Sequence, residues 1–167
     1  MSSSAPSPTA FRSSFAPASG AFEPVDPDYA ARVRGSFNRQ QAMHLIGAEM
    51  TQLEPGRCEI RLPYRSANTQ QHGFVHGGIV GMIADSAGGY AAYTLYPADA
   101  SILTVEYKMN FLAPARGDTL VARAEVVKPG RTLTVVRADV FAIEGEREIL
   151  CATTQQTLIT LHGKADR

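Results

Sequence analysis

Residues 70–97 read QQHGFVHGGIVGMIADSAGGYAAYTLYP. From Gly77 to Ala98 the only charged side chain is Asp85. A helix through this stretch is apolar or small on all sides, and a helix of that kind is a buried one. A carboxylate inside it is costly unless it is paired, hydrogen-bonded or used. Asp85 is therefore the candidate for chemistry, and the glycines ahead of it are candidates for the other half of a site. Pro97 supplies a stop.

Upstream, residues 28–46 (DYAARVRGSFNRQQAMHLI) carry apolar side chains at Tyr29, Val33, Phe37, Met43 and Ile46. That is roughly the helical interval, and Gly47 would end the helix. Residues 48–54 and 57–63 read as a hairpin through Glu54-Pro55-Gly56, with Cys58, Ile60 and Leu62 alternating as in a half-buried strand. Arg65 to Gln71 is polar and expected to be loop. Downstream, Ser101 to Leu112 alternates. Ile102, Thr104, Glu106, Lys108 and Asn110 share one face, and Leu103, Val105, Tyr107, Met109 and Phe111 share the other. Turn residues follow at Ala113-Pro114 and Arg116-Gly117-Asp118. Three more strands are expected over Thr119 to Val127, Thr132 to Ile143 and Glu148 to Leu161. Connections this short force antiparallel pairing. Two strands, one apolar helix and four long strands pack most economically as a curved antiparallel sheet wrapped round the helix, an α+β fold.

Residues 1–27 differ in character. Ser, Ala and Pro fill 17 of these 27 positions, too little apolar surface to offset the entropy of ordering. They are expected to form a disordered or extended tail, without the apolar core of a secretory signal. Residues 28–162 are expected to be a single domain, and 163–167 a short C-terminal tail. Lys+Arg and Asp+Glu are both 16, so the formal net charge is zero, which argues against a nucleic-acid surface. Asp85 and five glycines interrupt the apolar stretch, so no membrane span is expected. Cys58 and Cys151 are the only cysteines. They read as buried, reduced thiols of a cytoplasmic protein, not as a disulfide or a metal site.

Three pieces carry a family likeness: His76-Gly77-Gly78 with Asp85 nine residues past the His, the strand Leu103 to Pro114 (LTVEYKMNFLAP), and the turn Lys128-Pro129-Gly130-Arg131. At this spacing and in this order of elements the chain resembles the hotdog-fold acyl-CoA thioesterases, and among them the phenylacetate-pathway (PaaI-like) group, over about residues 35–161. The resemblance implies a hotdog fold and hydrolysis of an acyl-CoA to a free acid and coenzyme A, with water and without metal or cofactor. It also implies a site shared across a homodimer, often paired again into a homotetramer.

The residues themselves say what such a site needs. Gly77 and Gly78 stand where backbone N–H groups are unpaired and the helix dipole is positive. With no side chain in the way, a carbonyl oxygen can approach them as it would an oxyanion hole. The resemblance assigns the polarising N–H to Gly77. Asp85 lies eight residues on, about 12 Å along the axis, whereas reacting atoms must meet within ~3 Å. Either the two act on different things, or an antiparallel second helix across a two-fold brings Asp85 of one protomer to Gly77 of the other. Asp85 would act as general base on water or as nucleophile.

His76 either orders the turn into the helix or touches substrate. His72 is four residues away, but Gly73 and Gly77 argue against a helical metal pair, and no metal is expected. In the resembling family an Asn six residues before the His helps hold the thioester oxygen. This chain has Gln70 there, with Asn68 as a competitor. Thr104 matches the hydroxyl that orients the attacking water. Gly81, Gly88 and Gly89 read as close packing. Lys128, Arg131 and Arg116 sit in turns where cations could meet the phosphates of coenzyme A. Phe74, Tyr90 and Tyr93 could line a pocket for an aryl or medium-chain acyl group, or fill the core. Two rival functions remain: a hotdog hydratase, whose paired Asp and His near an Asn-Pro do not occur here, and a non-catalytic acyl-CoA-binding protein.

Overall fold

The computed structural model describes residues 22–166. Residues 1–21, most of the expected tail, and Arg167 lie outside the described residues. Order begins ahead of residue 28: Phe22 packs over the turn at Gly56, and the buried Asp26 accepts a hydrogen bond from Arg32 Nε at 2.7 Å. At the other end Asp166 pairs with Arg39 at 3.1 Å, so residues up to 166 are docked on the domain.

The expected helix over 28–46 is two helices, α1 (Tyr29–Arg39) and α2 (Gln41–Ile46), divided at Gln40, whose backbone is extended. Phe37 and Met43 are six apart, about 240° round a continuous helix. Both are buried, which requires the break. Gly47 closes α2 in the left-handed region, with φ 76°.

A hairpin of β1 (Glu49–Glu54) and β2 (Arg57–Pro63) comes next. After a short 3-10 turn at Ser66–Asn68 comes the central helix α3 (Gly77–Tyr93). The chain finishes with β3 (Ser101–Phe111), β4 (Thr119–Lys128), β5 (Leu133–Glu144) and β6 (Arg147–Leu161). The six strands form one antiparallel sheet in the order β1-β2-β4-β5-β6-β3. It is the α+β hotdog arrangement expected. Val80, Ile83, Ala84, Ala87 and Ala91 of α3 share one core with Ile60, Leu62, Leu120, Val136 and Leu158 of the sheet. Burying side chains of this size contributes on the order of 1.5–3 kcal/mol each before entropy is counted.

α3 stops at Tyr93, a turn before Pro97. The Thr94 hydroxyl donates to Ala91 O at 2.6 Å and accepts from Gly56 N–H at 2.7 Å. Arg32 donates to Tyr96 O at 2.8 Å and lies 4.2 Å over the Tyr93 ring, a cation at the negative end of the helix. Pro97 bars helical backbone at Tyr96, so the last turn unwinds.

β3 departs from simple alternation. Thr104 pairs with Leu158 and Glu106 with Thr157, leaving Val105 as an extra residue. Such a bulge flips the facing of all that follows. Ile102 and Thr104 face α3, and beyond the bulge so do Tyr107, Met109 and Phe111. Asn110 is therefore not on the Thr104 face; it faces away, in a groove with Lys108 and Arg137. The partners on the helix are spaced by four: Phe111 meets Gly77, Tyr107 and Met109 meet Gly81, Thr104 meets Asp85, and Ile102 meets Gly89. The approach is close along this stripe: a Cβ at Gly77 would sit 3.0 Å from the Phe111 ring, which would have to give way slightly.

An ionic cluster ties β2 and β4 to the start of β6. Arg123 donates to Glu59 at 3.0 Å and in bidentate fashion to Glu148 at 2.6 and 2.9 Å, and Glu59 is only 1% exposed. Cys58 and Cys151 are buried free thiols. Among the described residues no helix is long and apolar enough to cross a membrane.

Candidate active site

The start of α3 is shaped by a small closed loop. Thr69 bridges to Val75, His76 N–H donates to Asn68 O at 2.9 Å, and Gln70 N–H donates to Phe74 O at 2.9 Å. His76 is the N-cap: its Nδ1 accepts from Gly78 N–H at 2.9 Å. The imidazole thus orders the turn, and in that bond Nδ1 carries no proton. The cap occupies Gly78 N–H, while Gly77 N–H makes no hydrogen bond among the described residues.

One helical face further on, Asp85 is partly exposed and its Oδ1 accepts from Thr104 Oγ1 at 2.8 Å. Burial pushes its carboxyl above the usual carboxylate value, and the Thr104 hydroxyl, which favours the charged form, pulls it part of the way back. A raised carboxyl is a better proton acceptor at neutral pH than an ordinary one.

Asp85 and Thr104 open onto a cavity of ≈ 490 Å³, walled further along by Gly89, Tyr90, Tyr93 and Ile102. Tyr93 is eight residues beyond Asp85, so the cavity follows the helix for about 12 Å. Its other wall comes from Ser36 of α1, from Gln40 at the break between α1 and α2, and from the docked Ala165 and Asp166. Ser36 Oγ lies 3.4 Å from Tyr90 Oη, and Ser86 Oγ donates to Gln40 Oε1 at 3.4 Å. The room suits a flat ring or a chain of several carbons.

The sequence-derived residues separate into groups. Asp85 and Thr104 meet at the cavity with Tyr90 and Tyr93. Gly77, Gly78, His76 and Gln70 gather at the head of α3, about 12 Å away. Gln70 spends its amide oxygen on His72 N–H. Asn68 is buried and donates to Ile46 O at 2.9 Å, a brace between loop and α2. Phe74 belongs to the loop and does not line the cavity. Lys128 and Arg131 are exposed at the β4–β5 turn. The residue beside them, Leu133, is level with Ile159 and Leu103, two strands or roughly 10 Å from the Asp85 end of β3. Ser36 and Gln40 were missed, because only the break at Gln40 turns them toward α3. Gln156 of β6 was missed too: its Nε2 donates to the Asp85 carbonyl oxygen at 3.1 Å. The inward alternation Ala152, Thr154, Gln156, Leu158 was the signal that could have found it.

The Thioesterase superfamily model matches residues 72–149. The crystal structure of a thioesterase family protein from Silicibacter pomeroyi is 52% identical, covers 81% of this chain and 99% of that one, and has a TM-score of 0.80. The PaaI protein of the E. coli phenylacetic acid degradation operon shares the fold at 18% identity, with a TM-score of 0.75, over 83% of this chain and 97% of its own. A 1,4-dihydroxy-2-naphthoyl-CoA hydrolase of Listeria monocytogenes is 27% identical over 90 residues, 54% of this chain and 73% of the relative. The sheet wrapped round one long helix, together with these relatives, marks a hotdog-fold enzyme that hydrolyses thioesters. The chain belongs to the thioesterase superfamily.

Proposed function

We propose that the protein is an acyl-CoA thioesterase, cleaving an aryl- or medium-chain acyl-CoA to the free acid and coenzyme A. The observation that carries this reading is Asp85, hydrogen-bonded to Thr104 at the mouth of a cavity of acyl dimensions. In this reading the thioester carbonyl carbon sits beside Asp85, and the acyl group runs along α3 toward Tyr90 and Tyr93. Thr104 holds Oδ1, so Oδ2 takes a proton from water or attacks the thioester itself. In single-turnover hydrolysis in isotopically labelled water, label entering Asp85 identifies the nucleophile, because it requires water to attack the Asp85 carboxyl carbon of a mixed anhydride.

The oxyanion donor is Gly77 N–H of a second protomer. β3 is an edge strand that leaves Leu103, Val105, Tyr107 and Phe111 exposed in the single chain. An unpaired apolar edge is a site for strand pairing, and two-fold pairing there sets two α3 helices antiparallel. A homodimer with two equivalent sites follows, and a homotetramer of such dimers and a cytoplasmic location belong to the same reading. His76 presents Gly77 by capping Gly78. Gln70, through its amide nitrogen, and Gly78 lie beside the carbonyl, and Lys128 and Arg131 meet the phosphates. No cofactor or metal takes part.

One observation favours a non-catalytic acyl-CoA-binding protein instead: the Gln70 amide oxygen is already committed to its own loop. Thiol release from short-, medium-, long-chain and aryl acyl-CoAs decides. Turnover of the aryl or medium class supports the enzyme. Tight binding of a non-hydrolysable acyl-CoA with no turnover of any member rejects it.

A further inference from the structure

Gln156 is among the least exposed polar side chains in the described structure, at 1%. It projects from the inner face of β6 onto the turn of α3 that carries Asp85. Its Nε2 donates to the Asp85 main-chain oxygen at 3.1 Å, while its Oε1 is buried with no partner among the described residues. The helix is built to admit it: a Cβ at Gly88 would sit 2.2 Å from Nε2, so only glycine leaves room for the amide. Asp85 is thereby held twice, by Thr104 of β3 at its carboxylate and by Gln156 of β6 at its backbone. The neighbouring strands β3 and β6 fix both its height on the sheet and its direction.

A buried amide with half its capacity unused costs stability, and an apolar side chain of the same shape would be neutral or better. Groups of this kind need a reason, and sites that carry function are where such a cost is kept. We infer that Gln156, with the clearance at Gly88, is a positioning residue that sets Asp85 at the depth where it reaches a bound thioester. The inference rests on Asp85 being the reacting carboxylate of the proposed thioesterase.

The variant Gln156→Met keeps the volume and removes the donor. A structural role and a positioning role then predict opposite pairs of results. Positioning predicts a melting temperature equal to or above the wild type, kcat lower by about 10- to 100-fold, and KM within twofold, because misplacement by about an ångström at a reacting group costs on that order. Wild-type kcat in a folded Gln156→Met, or a fall in melting temperature with activity loss matching the unfolded fraction, overturns the inference. Should Gln156→Met fail to fold, Gly88→Ala displaces the amide while leaving Gln156 in place. The same kcat loss at unchanged KM is expected there, and unchanged kcat refutes it. Asp85→Asn runs alongside: full turnover in that variant would instead sink the assignment of the carboxylate, a failure distinct from that of Gln156.

Discussion

The Thr104→Val substitution isolates the one side-chain hydrogen bond to the Asp85 carboxylate among the described residues. Valine is near-isosteric and a good strand former, so β3 and its bulge stay in place. A hydrogen bond to an ionised acceptor is worth about 1.5–3 kcal/mol. Thr104 is exposed in the single chain, so the lower end applies, near 1.5 kcal/mol, or roughly tenfold in kcat/KM. The direction of the pH effect follows from the same bond. Burial holds the carboxyl above its ordinary value and Thr104 opposes that shift. Removing Thr104 raises it further and moves the acid limb of kcat/KM to higher pH. Stability follows by linkage. Between the ordinary carboxyl value and the raised folded value, the native state binds more protons than the unfolded one, so stability falls as pH rises through that window and is level above it. Thr104→Val extends the window upward, so the variant is less stable than wild type at neutral pH and the gap narrows in acid. Thiol release and thermal melts across the acid-to-neutral range measure both. An unmoved acid limb with kcat/KM within twofold of wild type would refute the reasoning.

Val105 is 58% exposed on the unpaired edge; Val105→Asp sets like charges across the proposed two-fold, and sedimentation should show a monomer without turnover, whereas an active dimer counts against a shared site. Arg123→Leu leaves Glu59 buried without its ion partner, with only the Thr51 hydroxyl still donating to it, a loss of about 3 kcal/mol and a fall of roughly 10 °C in melting temperature; a shift of a degree or two would show the cluster to be dispensable. Burial pushes the Cys58 thiol up and the Cys151 thiol to about 11, so neither should react with a thiol reagent in the native protein and both should react in denaturant; prompt native labelling contradicts the packing.

The position of Asp85 was legible because a lone charge in an all-round apolar helix stands out, and the structure sets it at the cavity beside Thr104. The hairpins were legible because Gly56, Gly130 and Gly145 mark short turns between alternating strands. The bulge at Val105 was not legible. β3 carries apolar residues on both faces, one face packing on α3 and the other left for a partner, so either register satisfies the pattern. The break at Gln40 was hidden because its neighbours are good helix formers, and only the burial of both Phe37 and Met43 demands it. Asn68 looked like a loop amide free for a ligand, yet a contact 22 residues away in sequence, with Ile46 O, claims it. Gln156 shares the inward alternation with Ala152, Thr154 and Leu158, opposite the exposed Gln155, but its contact with Asp85, 71 residues away in sequence, is not carried by that pattern. Each of these depends on long-range packing that composition and periodicity do not carry.

The most direct test of the account is thiol release by wild type and Asp85→Asn side by side, over the same panel of acyl-CoAs, with a melt to confirm that both are folded. The account predicts that an aryl or medium-chain substrate turns over in wild type, and that Asp85→Asn, still folded, loses at least about two orders of magnitude in kcat. A folded Asp85→Asn with wild-type turnover would contradict it.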